Sequence, residues 1–189
     1  MPLEVQHGFT VVQANDPPNA NSDNCSTSRR EPYIALAFLV EDKILWMTDV
    51  SAIPEKTWNV LHYGLDPDHT DSETKRSQRR LPVAFIDLSD IDPRGAHLSV
   101  RTFLEVVEKL DAKRSYAIGI NHTLCHGEIE ALGEEVEGTR EEGKEDAFLI
   151  RVLRDGKKVG DAPAWSRLKQ RKLWIRPCHD GMAVRIEGA

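Results

Sequence analysis

The stretch Val83 to Leu132, VAFIDLSDIDPRGAHLSVRTFLEVVEKLDAKRSYAIGINHTLCHGEIEAL, decides the fold class. Leu81 to Leu88 is a nearly unbroken apolar run and reads as a strand with Asp87 near its end. Ser99 offers a capping hydroxyl to a helix on which Val100, Phe103, Leu104, Val107 and Leu110 recur at i, i+3, i+4 and i+7. Ser115 to Ile120 is a second short strand that discharges into Asn121-His122. Ile129, Leu132 and Val136 then mark one face of another helix. Strand, polar loop and helix follow one another twice, the pattern of a layered α/β domain rather than a bundle or an all-β sandwich.

Working outward, Pro2 to Val12 (PLEVQHGFTVV) reads as a strand bent at His7-Gly8, followed by a polar, mobile loop over 14–32. Tyr33 to Val40 and Ile44 to Thr48 form a strand pair around a turn at Glu41-Asp42-Lys43, closing on Asp49. Pro54-Glu55 opens a helix running to Leu61. Residues 64–80 and 134–146 are read as two further mobile loops. Strand candidates follow at Phe148 to Leu153, Leu173 to Arg176 and Met182 to Ile186, with two edge elements closing the sheet. No internal repeat or heptad is visible, and the expectation is one domain over 1–189.

Composition narrows the functions. The chain has 189 residues and 21.3 kDa, with 25 Lys+Arg against 31 Asp+Glu for a net charge of −6, a balance that repels polyanions and disfavours RNA as a partner. Cys25, Cys125 and Cys178 are odd in number and form no CxxC, which fits a reducing compartment. Without an 18-residue apolar run or a basic-then-apolar start, the expectation is a cytoplasmic protein with no membrane partner. Walker, GxGxxG, GxSxG and HExxH motifs are all absent, so the corresponding nucleotide, nicotinamide, serine-hydrolase and zincin chemistries lack support.

The polar residues at strand ends are His7, Asp49, His97 and His122. Imidazole and carboxylate are ligand types for zinc, manganese or iron, and loops at strand ends let such side chains converge. Taken singly, His7 and His122 read first as hydrogen-bonded loop histidines and Asp49 as a turn or cap residue. His122 and His126 have helical His-x-x-x-His spacing, but His122 directly follows a strand. His62 and His69 are expected in solvent, and His179-Asp180-Gly181 reads as a turn. Asp87, Asp90 and Asp92 are either solvated turn residues or partners orienting a metal-bound imidazole. Arg167, Lys169, Arg171 and Lys172, near Trp165 and Trp174, are either solvated surface or a phosphate contact.

Taken together, these segments resemble the carboxy-terminal half of a metallo-β-lactamase-fold hydrolase. The similarity is to the phosphodiesterase branch that includes phosphoribosyl 1,2-cyclic phosphate phosphodiesterase and, more distantly, tRNase Z. PLEVQHG is similar to a strand followed by a metal-binding histidine, His7. ILWMTDVSAIPEKT resembles the strand that ends in the metal-bridging carboxylate, Asp49. In the long stretch from Val83, His97 lies at the branch's proton-donor position and His122 at its last metal ligand, and HDGMAVRI resembles the closing Asp-Gly and strand. The resemblance implies a partial αββα sandwich, mainly the second sheet and its helices.

The same resemblance implies metal-assisted hydrolysis of a small phosphodiester or cyclic phosphate. Its full site holds two divalent ions, zinc or manganese, about 3.5 to 4 Å apart. The His-x-His-x-Asp-His motif that supplies four of its ligands does not occur among these 189 residues. Weak or absent metal binding and a truncated, inactive chain are therefore expected. The competing expectation is a non-catalytic fragment or binding module completed by an oligomeric copy or a partner carrying the missing half, since a lone sheet exposes the face its companion would cover.

Overall fold

Six strands hydrogen-bond in chain order in the computed structural model, which describes residues 1–13, 28–64, 79–92, 95–141, 147–155 and 162–186. They are β1 (Pro2–Gln13), β2 (Ser28–Val40), β3 (Ile44–Met47), β4 (Val83–Asp87), β5 (Ser115–Ile118) and β6 (Ile175–Pro177). β1, β2 and β3 pair antiparallel, whereas β3 to β6 pair parallel. The helices among the described residues are α1 (Glu55–Tyr63), α2 (Val100–Leu110), α3 (His126–Glu137), α4 (Phe148–Asp155) and α5 (Ala162–Arg171). The domain is thus mixed α/β, as its alternating pattern requires.

Local chemistry explains the boundaries. Glu41 and Asp42 both have positive φ, and Lys43 N donates to Val40 O at 3.0 Å, the primed turn whose twist suits an antiparallel hairpin. At the start of α2, Ser99 Oγ accepts from Thr102 N while Thr102 Oγ1 accepts from Ser99 N, a reciprocal cap. At α4 the free amides of Phe148 and Leu149 donate to the Glu128 carboxylate at 3.3 and 2.9 Å, so α3 caps its successor.

Alternation gives the sheet two unlike faces. Leu3, Val5, Ala37, Leu39, Leu45, Met47, Ala84, Ile86 and Ala117 share one buried cluster with residues from all five helices, among them Trp58, Phe103, Leu132, Leu149 and Leu168. On the opposite face the register aligns Phe38, Trp46, Phe85 and Tyr116 across β2 to β5. Neighbouring rings lie 4.9 Å apart for Trp46–Phe85 and 5.2 Å for Phe85–Tyr116, with Trp174 5.0 Å beyond Tyr116. Such pairs contribute about 0.5–1.5 kcal/mol each beyond their burial. Phe38 and Trp46 remain 46% and 43% exposed, and Leu36 and Val40 beside them are also exposed.

Several expectations change. Ser28 to Pro32, assigned to the first polar loop, already belong to β2 and pair with β1; the remainder of that loop lies outside the described residues. Phe148 to Leu153 is helical, because Leu149, Ile150 and Leu153 fall on one buried helical face, and a run this short does not distinguish strand from helix by periodicity. Met182 to Ile186 forms no strand, leaving β6 as the edge. Glu134 to Glu137 complete α3 rather than opening a loop. Of the loops expected at 64–80 and 134–146, residues 65–78 and 142–146 lie outside the described residues.

Gly133 sets the approach of α3 to β6. A Cβ there would lie 1.9 Å from Ile175 O and 2.9 Å from an Arg176 guanidinium nitrogen, whereas a Cβ at Gly127 in the same helix meets nothing within 4 Å. Gly133→Ala should therefore destabilise the protein by about 2–3 kcal/mol through overpacking, lowering the thermal midpoint by roughly 5–10 °C. Gly127→Ala should be neutral or stabilising by up to about 1 kcal/mol. Calorimetry of the two variants checks the pair, and equal midpoints would contradict the close packing.

Candidate metal centre

The centre begins with a defect in β1. The register shifts between Gln6 and Phe9, and Gly8 takes a left-handed φ of 68° that a side chain would strain. The bulge is laced to the segment following β3. Gln6 N donates to Ala52 O at 2.9 Å, Ser51 N to Gln6 O at 2.6 Å, and Gly8 N to Ser51 Oγ at 2.9 Å. This lacing brings His7 to Asp49, which leaves the end of β3 with φ 53°.

His97 arrives from the connection between β4 and α2. Buried Asp87 holds it there: the Asp87 carboxylate accepts from Leu98 N at 3.1 Å and pairs with His97 Nδ1 at 3.2 Å. An ionised carboxylate only accepts, so the pairing puts the N–H on Nδ1 and leaves Nε2 free. Burial pushes the Asp87 carboxyl up; the Leu98 amide and the His97 ring pull it down, and the nearby Asp49 charge adds a small rise.

One ligand-type atom from each of His7, Asp49 and His97 lies within 4.8 Å of the other two. The His7 and His97 rings meet edge to face at 5.1 Å. His7 and His97 are half-buried and Asp49 is exposed, so the group is open on one side. His7 Nδ1 is shielded from solvent without a hydrogen-bond partner, as expected of an imidazole whose lone pair is reserved for a cation. Two imidazoles and a carboxylate suit zinc or manganese, and three donors fit one ion with positions left open, not two.

The other sequence candidates are placed elsewhere. His122 and His126 are exposed between β5 and the first turn of α3, outside the group. Cys125 is exposed at the α3 N-cap, and His179 Nδ1 lies 3.1 Å from Asp180 O in a turn. Asp90 is buried and accepts from Ile91 N at 2.7 Å, while Asp92 is exposed. His62 is a correction: it is buried beside Trp58, with Nε2 3.1 Å from Lys109 O, because it lies on the inward face of α1. His69 lies outside the described residues. Arg167, Lys169 and Arg171 face Glu108, Glu135 and Asp111, so these cations are engaged within the fold.

Sequence reasoning passed over Phe9, Arg30 and Tyr33, which stand beside His7. Arg30 was hidden within the apparent loop. The signal that would have found it is continuation of the β2 strand pattern upstream of Tyr33.

No family model and no curated protein matches the chain. A solved structure described as a new diphosphatase from the PhnP family is similar at a TM-score of 0.46 and 19% identity, over 99% of this chain and 43% of that chain. The chain thus spans less than half the length of that neighbour.

Asp87→Asn tests the support beneath His97. Leu98 N and His97 Nδ1 share one Asp87 oxygen, so an amide oriented to keep that oxygen preserves both bonds and removes only the charge behind the imidazole. Zinc or manganese affinity should fall about tenfold or more in calorimetric titration if His97 is a ligand and stay unchanged if it is the proton donor. Because burial raises the Asp87 carboxyl, its destabilising effect is absent where it is protonated in both folded and unfolded states. That effect grows as pH rises through the interval above the ordinary carboxylate range. The variant should lose this part of the pH dependence of melting. A melting profile that keeps the wild-type pH dependence would contradict the raised Asp87 carboxyl.

Proposed function

We propose that this chain carries the centre of a metal-dependent phosphodiester hydrolase of the metallo-β-lactamase type, in which His7 and Asp49 hold a divalent cation and His97 delivers a proton to the leaving group. The observation that supports it is the convergence of these three side chains from separate segments, with a buried carboxylate behind one of them. A cation there would supply Lewis-acid polarisation of a phosphoryl oxygen and activation of water.

The chain's own residues do the rest. As the proton donor His97 is an imidazolium whose Nδ1–H is held by Asp87, which fixes the ring's orientation. Nδ1 remains engaged with Asp87, so the transferable proton is the one on Nε2, and the departing alkoxide receives it. Asp49 and His7 fix where the phosphoryl oxygen sits relative to that proton. His122 stands outside this proposed set; the ligand role implied for it by resemblance requires the loop before α3 to move inward.

A second reading makes His97 the third ligand instead of the donor, and the mutual 4.8 Å spacing of the three groups favours it. A two-ion centre needs donors beyond these three. Turnover by this chain alone is therefore proposed to be slow, with ligands from outside these residues completing the site.

Metal content separates the readings. The wild-type chain should retain about one zinc or manganese per molecule after dialysis, and Asp49→Ala or His7→Ala should remove it. His97→Ala should keep the ion while lowering whatever diesterase rate is measured by roughly 10²- to 10⁴-fold, more severely for an alkyl than for a nitrophenyl leaving group. Loss of the ion in His97→Ala would establish the ligand role instead. A wild-type chain that binds neither metal in micromolar titrations would overturn the hydrolase reading.

A further inference from the structure

A cavity of about 650 Å³ opens directly from the centre, sharing His7 with it and lined further by Gly8, Phe9, Arg30, Tyr33 and Gly95. Its walls carry two kinds of recognition chemistry. Phe9 and Tyr33 present rings that are 60% and 55% exposed, large apolar surface left uncovered beside a reactive group. The Tyr33 ring also stands edge-on to His7 at 5.9 Å. Arg30 adds a permanent positive charge.

Arg79, Arg80, Arg101, Arg167, Arg171 and Arg176 sit against carboxylates, whereas the Arg30 guanidinium, like those of Arg151 and Arg185, has no hydrogen bond or ion pair among the described residues; of these three it is the one that lines this cavity. In a chain of net charge −6, an unengaged guanidinium on a cavity wall calls for an anion from outside. Aromatic faces beside it call for a flat ring, since base–aromatic stacking is strong and tolerant of ring identity.

We propose that this cavity is the substrate subsite of the centre and that it takes a flat ring bearing a phosphate, so that the diester's organic group is a nucleoside monophosphate. The turnover role rests on the hydrolase reading; the binding chemistry does not. Phe9 and Tyr33 hold the ring, Arg30 holds the phosphate that is not cleaved, and His7 joins the subsite to the reacting phosphorus. Gly8 lets the β1 bulge pack closely on the Gly95–Ala96 side of the cavity, because a Cβ at its position would lie 3.1 Å from Gly95 O.

The test uses the full chain with chelator present, so that metal plays no part. Adenosine monophosphate, adenosine and inorganic phosphate are titrated separately by calorimetry or by NMR shift mapping. The monophosphate should bind at least about tenfold more tightly than either fragment, because only it engages ring and charge together. Arg30→Gln should weaken it about tenfold or more while leaving adenosine unchanged, Arg30→Lys should restore part of the loss, and Tyr33→Leu should weaken adenosine and the monophosphate alike. Both positions are solvent-exposed, so the variants should melt like the wild type. Equal affinity for the three ligands, or a monophosphate affinity indifferent to Arg30, would overturn the subsite. Nucleotide binding in a chain that never retains metal would instead uphold the subsite and remove the hydrolase reading.

Discussion

The Asp87 carboxylate is the constraint that ties the carboxyl ends of β4 and β5 to the candidate centre. It is 2% exposed, and the Leu98 amide and the His97 ring offset only part of its desolvation, so the carboxyl stays raised. Space for it depends on the glycine that follows β5, Gly119, where a Cβ would lie 2.9 Å from Asp87 Oδ1. One buried anion thereby couples the end of β4, the connection into α2 and the end of β5. The orientation of His97 follows from a constraint that the fold must satisfy anyway.

The centre also sits where the pairing changes character. β3 is antiparallel to β2 and parallel to β4, and Asp49 leaves its carboxyl end, the location where loops diverge and polar side chains can gather without costing backbone hydrogen bonds. Helices cover one face of the sheet, so their packing positions the strands without intruding on this end. The aromatic ladder on the other face links β3, β4 and β5 through ring contacts.

The fold was legible where periodicity was long. The α2 stripe and the capping Ser99 appear as read, because eleven residues contain three turns of evidence for one inward face. Phe148 to Leu153 misled because six residues give too little phase to distinguish helix from strand, and the Glu128 cap that settles the matter is twenty residues away in sequence. At the site, strand-end position drew attention to His7, Asp49 and His97, but their convergence depends on the Gly8 bulge and its lacing to Ser51, a long-range contact with no local signature. His62 was misjudged for the related reason that the acceptor for its ring, Lys109 O, lies on another helix.

The switch from antiparallel to parallel pairing also has a kinetic meaning. The β2–β3 hairpin closes over a short turn, whereas β4, β5 and β6 meet only after crossover connections have been drawn back across the sheet, at greater loop-closure cost. His7 belongs to the first kind of structure and His97 to the second. A nascent chain that has zipped only its hairpins holds His7 and Asp49 but not His97, so the three side chains come together only after the crossover that pairs β4 with β3 has closed.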